Sequence, residues 1–179
     1  MKEQGFSLKP FPGDGLLTDL KITGSISRCS NKLVICYELC GPITEIVIPA
    51  LADLPDRRHE LWEETCFEFF LSDGKSGPYW EFNLSPSGHW NVYYFKDYRR
   101  EMQEELSFAS LPFTVRKNSE AFRLELALNL DKIVRVEQAL KIAVCAVIQY
   151  TNGAVTCWAL AHPGPLPDFH RQDGFIIEL

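Results

Sequence analysis

The chain has 179 residues, of which 46% are hydrophobic and 12% aromatic, and its formal net charge is −6. This composition supports a large hydrophobic core without disulfide or metal staples. It excludes the basic surface that is typical of nucleic-acid binders. Residues 1–9 lack the apolar core of a signal peptide, and no later stretch is long enough to span a membrane. We therefore expect one domain over residues 1–179, with neither a nucleic-acid nor a membrane partner.

Short runs of alternating or continuous apolar residues, separated by turn residues, predict β-strands along the chain. In chain order the runs are 20–26, 33–39, 46–48, 64–71, 79–84, 89–95, 113–115, 122–128, 140–150, 154–160 and 175–179. The run at 140–150 is apolar at nearly every position, which predicts a strand covered on both faces. Helical periodicity is weak and allows one or two turns, at 98–106 and 130–138. About ten strands at this spacing predict an all-β, two-sheet antiparallel β-sandwich with jelly-roll or immunoglobulin-like topology.

Two of these runs are joined by the sequence Ser-Pro-Ser-Gly at 85–88. Proline suits the second position of a type I turn and glycine the left-handed position that follows, so we predict a three-residue hairpin loop closed by a bulge. That loop fixes the register of the hairpin. The predicted pairs are Leu84 with Trp90, Phe82 with Val92, Trp80 with Tyr94, Asn83 with Asn91 and Glu81 with Tyr93.

The predicted register separates an apolar face from a polar, aromatic one. In the preceding strand, alternation places Phe67, Phe69 and Leu71 on the apolar side and Glu68 on the polar side. Glu68 and Glu81 then approach each other if the two strands are neighbours. Two interpretations of this polar face remain open: it is simply solvated, or it is the floor of a ligand site.

Four segments carry a family resemblance: LWEETCFEFFL at 61–71, YWEFNLSPSG at 79–88, WALAHP at 158–163 and PDFH at 167–170. The chain resembles the DOMON-like proteins related to family 9 carbohydrate-binding modules. The resemblance implies a β-sandwich that binds sugars or, in other branches of the family, haem. The segments span most of the chain after Leu61.

A carbohydrate site needs flat aromatic rings that stack on sugar C–H bonds, with amides and carboxylates that bind hydroxyls. We assign Trp80 and Trp90 to the core from the hairpin register, which leaves Trp62 and Trp158 as possible stacking platforms at the sheet rim. The C-terminal loop contributes two histidines as one wall. The candidate ligand-binding residues are Trp62, Glu68, Glu81, Asn83, Asn91, Tyr93, Trp158, His162 and His170. The expected function is a non-catalytic module that binds a carbohydrate or similar polyol.

Other functions remain as alternatives. Glu68 and Glu81 could serve as the carboxyl pair of a glycoside-active enzyme. A histidine with Met102 could ligate haem, and a flat apolar sheet face would instead indicate a protein-interaction sandwich. His162, His170 and Asp168 do not match the spacing of a known metal site, so we expect no metal and no cofactor.

The six cysteines predict the redox compartment. Four of them lie in apolar, strand-like runs, and no CxxC pair is present. A cysteine in such a run behaves as a small buried hydrophobe. We therefore predict six free thiols and a cytoplasmic location.

Overall fold

A computed structural model describes residues 2–13, 19–74 and 77–179. Thirteen β-strands lie within these residues. Their bounds are β1 Lys2–Ser7, β2 Lys9–Pro10, β3 Lys21–Cys29, β4 Lys32–Cys40, β5 Cys66–Ser72, β6 Tyr79–Leu84, β7 Trp90–Phe95, β8 Gln103–Glu104, β9 Phe113–Lys117, β10 Ala121–Asn129, β11 Lys141–Gln149, β12 Val155–Ala159 and β13 Ile177–Glu178. Three single 3-10 turns occur at Ile43–Glu45, Leu61–Glu63 and Gln172–Gly174.

The strands form two antiparallel sheets, which confirms the predicted all-β sandwich. The smaller sheet has the order β1-β3-β4-β10-β9. The larger sheet has the order β2-β12-β11-β5-β6-β7-β8, and β13 also pairs with β11. All strand pairs within the described residues are antiparallel.

The hydrophobic core lies between the sheets because each strand directs one set of alternate side chains inward. Phe67 on β5 stacks on Phe122 of β10, with ring centroids 5.1 Å apart, and so joins the two sheets. The buried hydroxyl of Tyr37 on β4 donates a hydrogen bond of 2.7 Å to the backbone oxygen of Glu68. This contact satisfies the one polar atom that Tyr37 brings into the core.

The hairpin between β6 and β7 has the predicted register. Leu84 lies opposite Trp90, and all five predicted pairs occur. The backbone N–H of Gly88 donates to the oxygen of Ser85 at 2.9 Å, and Gly88 has φ +90°. The loop type therefore determined the two faces of the sheet, as the sequence predicted.

Replacing Gly88 by Val is expected to lower the free energy of unfolding by about 1–3 kcal/mol, because a β-branched residue resists a positive φ. A Cβ at this position would also lie 2.9 Å from Cγ of Pro55. Gly153→Val is the matched control, since Gly153 has φ +86° but no atom within 4 Å of an added Cβ. Urea denaturation should show the larger loss for Gly88→Val. Equal losses would mean that the Pro55 contact contributes nothing.

Several local predictions differ from the structure. Residues 46–48 contribute only a bridge from Ile46 to Tyr150, because Pro49 ends the run. Residues 98–106 form no helical turn and instead contain β8, which pairs with β7. The segment 130–138 does form turns, with hydrogen bonds from Ile133 and Val134 to the oxygen of Leu130 and from Gln138 to that of Arg135, but no regular helix.

Strand β11 is buried on both faces, as its continuous apolar sequence predicted. The structure joins none of the six cysteines in a disulfide, and their redox state stays a prediction. Within the described part of the chain, no helix has the length and apolar character needed to cross a membrane.

Candidate functional site

The candidate site lies on the outer face of the larger sheet, which is the side turned away from the smaller sheet. Alternation along β5, β6 and β7 places Glu68, Glu81, Asn83, Asn91 and Tyr93 on this face, since their neighbours in each strand point into the core. The same alternation places Cys145 and Val147 of β11 there.

This outer face is covered by other parts of the chain, so the interpretation of a simply solvated face is wrong. Phe70 on β5 packs against the rings of His170 and Phe175, with centroids 5.1 and 5.9 Å away. Tyr79 contacts the same two rings. The aromatic residues of the face provide an apolar surface that the C-terminal segment buries.

Between the face and its cover remains a cavity of about 490 Å³. This volume falls in the range of small-ligand sites, about 300–1,000 Å³. Strand residues that line it are Glu68, Glu81, Phe95, Val147, Val155 and Cys157. The connecting segments add Trp62, Arg99, Met102, Pro167, Asp168, Phe169 and His170. The lining thus combines aromatic rings with a small number of charged groups.

Two carboxyl groups form the polar part of the cavity. Glu68 lies opposite Asn83, and Glu81 is two residues before Asn83 on β6, so the glutamates are diagonal neighbours, a relation that typically separates residues by about 7–8 Å. Glu68 is 2% exposed and Glu81 4%. Nδ2 of Asn83 donates to Oε1 of Glu81 at 2.9 Å, whereas Oε1 of Glu68 has no hydrogen-bond partner among the described residues.

Burial controls the protonation of this pair. It raises the pKa of Glu68 well above its usual range, and the negative charge of Glu81 adds to the effect. Burial also raises the pKa of Glu81 to about 7, against the opposing hydrogen bond from Asn83 and the charge of Arg99. At neutral pH the pair therefore holds at least part of a proton.

His170 faces the carboxyl pair from the C-terminal segment. Its Nδ1 lies 2.9 Å from the hydroxyl of Tyr79, and its Nε2 lies 3.8 Å from Oε2 of Glu81. Burial, with the charge of Arg99, lowers the pKa of His170 to about 4. The ring is therefore neutral at pH 7, and its contact with Glu81 is not an ion pair. The Nε2 contact is too long for a hydrogen bond, and Met102 lines the same cavity, so the haem alternative stays a prediction.

Arg99 and Asp168 form an ion pair at the edge of the cavity. Nη2 of Arg99 lies 2.9 Å from Oδ1 of Asp168, and the hydroxyl of Tyr98 donates to Oδ2 of the same carboxylate. Burial alone would raise the pKa of Asp168, but these hydrogen bonds outweigh it and lower the pKa. The pair attaches the connection after β7 to the C-terminal segment.

Asn91 and Tyr93 support the site from outside the cavity. Oδ1 of Asn91 accepts a hydrogen bond of 2.7 Å from Arg57, and its Nδ2 donates to the oxygen of Arg58 at 3.0 Å and to Oε1 of Glu104 at 3.0 Å. The Tyr93 ring lies 5.8 Å from that of Trp62, edge to face. These two residues hold the segment that carries Trp62 against the sheet.

The structure brings together four of the nine residues predicted for the site. Trp62, Glu68, Glu81 and His170 line one cavity. Asn83, Asn91 and Tyr93 lie on the same face, at 0%, 0% and 1% exposure, and do not line it.

The expected position of Trp158 at the sheet rim is wrong. Its side chain is 4% exposed and belongs to the core between the sheets. Trp158 alternates with Cys157 along β12, and it is Cys157 that faces the cavity. The indole N–H donates to Oγ1 of Thr156 at 2.8 Å, which satisfies its polar atom within the core.

His162 also lies away from the cavity. Its Nε2 is 2.9 Å from the backbone oxygen of Lys9, and its ring packs against Phe11. The placement of His162 in the wall was therefore wrong: it attaches the N-terminal segment to the chain after β12.

Several residues that line the cavity were not predicted from the sequence. Val147 and Cys157 follow from the alternation of β11 and β12, once the neighbours of these strands are known. Phe95 gave no signal, because an aromatic residue at a strand end is usually packing. Met102 was considered only as a haem ligand, and Phe169 only as part of the 167–170 segment that carries the resemblance. Within residues 2–13, 19–74 and 77–179, no group of three or more His, Cys, Asp or Glu side chains is placed to hold a metal ion.

Comparisons with known proteins find structural likeness only. No protein-family model and no curated protein matches the chain. A "putative carbohydrate-binding protein" from Bacteroides uniformis ATCC 8492 is similar with a TM-score of 0.73 and 12% identity, over 98% of this chain and 84% of that one. Family 9 carbohydrate-binding modules from Caldicellulosiruptor kristjanssonii, in complexes with glucose and cellotriose, have TM-scores of 0.51 and 0.52 at 10% identity. Each of these covers 82% of this chain, and the matches span 69% and 68% of those chains.

Proposed function

We propose that this protein is a carbohydrate-binding module whose ligand occupies the cavity on the outer face of the larger sheet. The observation that carries the proposal is one cavity in which aromatic rings stand beside buried carboxyl groups, Trp62 with Glu68 and Glu81. Aromatic faces stack on sugar rings, and carboxyl oxygens accept hydrogen bonds from hydroxyls.

Two further facts support a carbohydrate. The cavity, at about 490 Å³, has room for a small sugar. Structures of the same fold include family 9 carbohydrate-binding modules that were obtained with glucose and with cellotriose, which supports a sugar as the ligand.

The carboxyl groups suit recognition of hydroxyls in either protonation state. A protonated carboxyl donates one hydrogen bond and accepts others, whereas a carboxylate only accepts. Because the pKa of Glu81 is about 7, the pair can supply both a donor and acceptors at neutral pH. Sugar hydroxyls need both kinds of partner.

The proposal is tested by replacing Trp62 with Ala and measuring sugar binding by calorimetry, with glucose and cellotriose as the first ligands. We expect at least a tenfold loss of affinity, about 1.4 kcal/mol, because Trp62 supplies a stacking surface. The free energy of unfolding should change by less than about 1 kcal/mol, since a half-buried side chain outside the main core contributes little.

Phe113→Ala is the matched control. Phe113 is also half-buried but packs against the core on the smaller sheet, so its loss should lower stability and leave sugar affinity unchanged. Unchanged binding by Trp62→Ala would contradict the proposed site. Failure of the natural protein to bind either sugar, or other sugars tested by thermal shift, would contradict the function.

A second candidate function is glycoside hydrolysis. It is favoured by one observation, that two neighbouring carboxyl groups in one cavity both have a raised pKa, as an acid that protonates a leaving group requires. This second function would be supported if the protein releases nitrophenol from aryl glycosides and if Glu81→Gln abolishes that release. Binding without turnover favours the module.

A further inference from the structure

We propose that the sugar held in this cavity carries a primary ammonium group, and that Glu68 and Glu81 bind this group. The inference rests on the proposed carbohydrate function and specifies its ligand class as an amino sugar. It follows from the charges that line the cavity and from one carboxyl oxygen that has no partner.

The cavity has an excess of acidic groups. Glu68, Glu81 and Asp168 line it against one permanently charged base, Arg99. The guanidinium of Arg99 lies 2.9 Å from Asp168, so these two side chains offset each other. His170 is neutral at pH 7 because burial lowers its pKa to about 4. Arg99 attracts the charge of Glu81 only from a distance, so neither glutamate forms an ion pair with a charged base among the described residues.

The unpartnered oxygen points to a missing donor. Glu68 is 98% buried, and its Oε1 makes no hydrogen bond within the described part of the chain. A buried acceptor without a donor is unfavourable, so this oxygen is a place at which a ligand can contribute stability. A primary ammonium offers three N–H donors and a positive charge, which suits a carboxylate better than a neutral hydroxyl does.

The apolar part of the lining favours an organic cation over a metal ion. Trp62, Phe95 and Phe169 present aromatic rings to the cavity, and aromatic faces attract ammonium groups. A hard metal ion instead needs about six oxygen ligands at short distance. The cavity is also far larger than an ion, at about 490 Å³.

The other titratable groups around the pair are consistent with this assignment. Tyr79 and Tyr93 flank Glu81 on β6 and β7, and burial raises the pKa of each to about 12, so neither carries charge at neutral pH. Cys66 and Cys145 flank Glu68 on β5 and β11, and burial raises the pKa of both thiols. None of these four groups supplies a positive charge.

The experiment compares glucosamine, N-acetylglucosamine, glucose and cyclohexylamine by calorimetry at a pH just below neutral. We expect glucosamine to bind at least tenfold more tightly than glucose or N-acetylglucosamine. We also expect protons to be released on binding, seen as a dependence of the measured heat on the buffer, because the ammonium group lowers the pKa values of the two carboxyls.

Glu68→Gln keeps the shape of the side chain and removes its charge. It should reduce the affinity for glucosamine to that for glucose and diminish the proton release. Glu81→Gln is the second variant, in case Glu68→Gln folds poorly. Glu125→Gln, exposed on the smaller sheet, is the control and should leave both measurements unchanged.

The outcomes separate the two proposals. Equal affinities for glucose and glucosamine, or a preference that survives in both glutamine variants, would overturn the ammonium assignment and leave the carbohydrate function standing. Binding of cyclohexylamine with no binding of any sugar would overturn the carbohydrate function and the sugar part of this inference. Binding of none of the four ligands would overturn the ammonium assignment.

Discussion

The double variant Glu68→Gln, Glu81→Gln is expected to be more stable than the natural sequence near pH 8, by about 3 kcal/mol or more. Raising a carboxyl pKa from 4.5 to about 7, as burial does for Glu81, corresponds to about 3 kcal/mol of folding free energy at a pH above both values. Burial also raises the pKa of Glu68, so both charges oppose folding once they form.

The sign follows from proton binding. A carboxyl whose pKa is raised by folding holds more protons in the folded state than in the unfolded state. Its contribution to the free energy of unfolding is therefore fully present below about pH 4.5 and is lost as pH rises through its folded pKa. His170 acts in the opposite sense. Its pKa falls from 6.5 to about 4 on folding, so its contribution is lost as pH falls through that window.

Between about pH 4.5 and 6.5, the loss of stability caused by Glu81 as pH rises is therefore offset by the gain caused by His170. Above that range, only the two carboxyls change stability with pH. Urea denaturation over a series of pH values should show stability declining on the alkaline side. The double glutamine variant should lack this decline, and His170→Gln should extend it to lower pH. Glu125→Gln should follow the natural protein. A flat profile above pH 6.5 in the natural protein would contradict the buried carboxyl pair.

Trp158→Ala is expected to lower the free energy of unfolding by about 3–5 kcal/mol, the usual loss when a large aromatic side chain is removed from a core. Trp158 is 4% exposed between the sheets, and its removal would also leave Oγ1 of Thr156 without its donor. Urea denaturation measures the loss. Trp158→Phe should lose less stability than Trp158→Ala, because the phenylalanine ring fills part of the volume of the indole.

Trp62→Ala provides the contrast, because it should affect sugar affinity and hardly affect stability. The opposite result would be a Trp158→Ala variant whose free energy of unfolding lies within about 1 kcal/mol of the natural protein's and which has lost sugar binding. In that case Trp158 belongs to the ligand site and its assignment to the core is wrong.

The two tryptophans illustrate what sequence can and cannot predict. The register of the β6–β7 hairpin followed from Ser85 to Gly88 alone, because a tight loop fixes pairing locally. That register correctly assigned Trp80 and Trp90 to the core. The turn before β12 is equally tight, with the N–H of Gly153 donating to the oxygen of Tyr150 at 2.9 Å. Strand β11, however, is apolar on both faces, so pairing with it did not reveal which face of β12 points inward, and Trp158 was placed on the wrong side.

The burial of the outer face is a second feature that could not be predicted from the sequence. Alternation indicated that Glu68 and Glu81 share a face, but burial of that face depends on Phe175 and His170, which lie 89–107 residues further along the chain. Short strands such as β1 and β8 were missed for a similar reason. Their backbones are paired by neighbours, and their own sequences carry no apolar alternation.

The cavity is lined partly by strand residues and partly by residues of connecting segments. Its carboxyl groups lie on β5 and β6, inside a sheet where a change of side-chain volume disturbs close packing. Trp62, Arg99 and the 167–170 segment come from connecting segments, which tolerate substitution and length change far better. Substitutions in these connections would therefore change the walls of the cavity and leave its two carboxyl groups in place. Engineering a new specificity would start at 167–170 and leave the strands as they are.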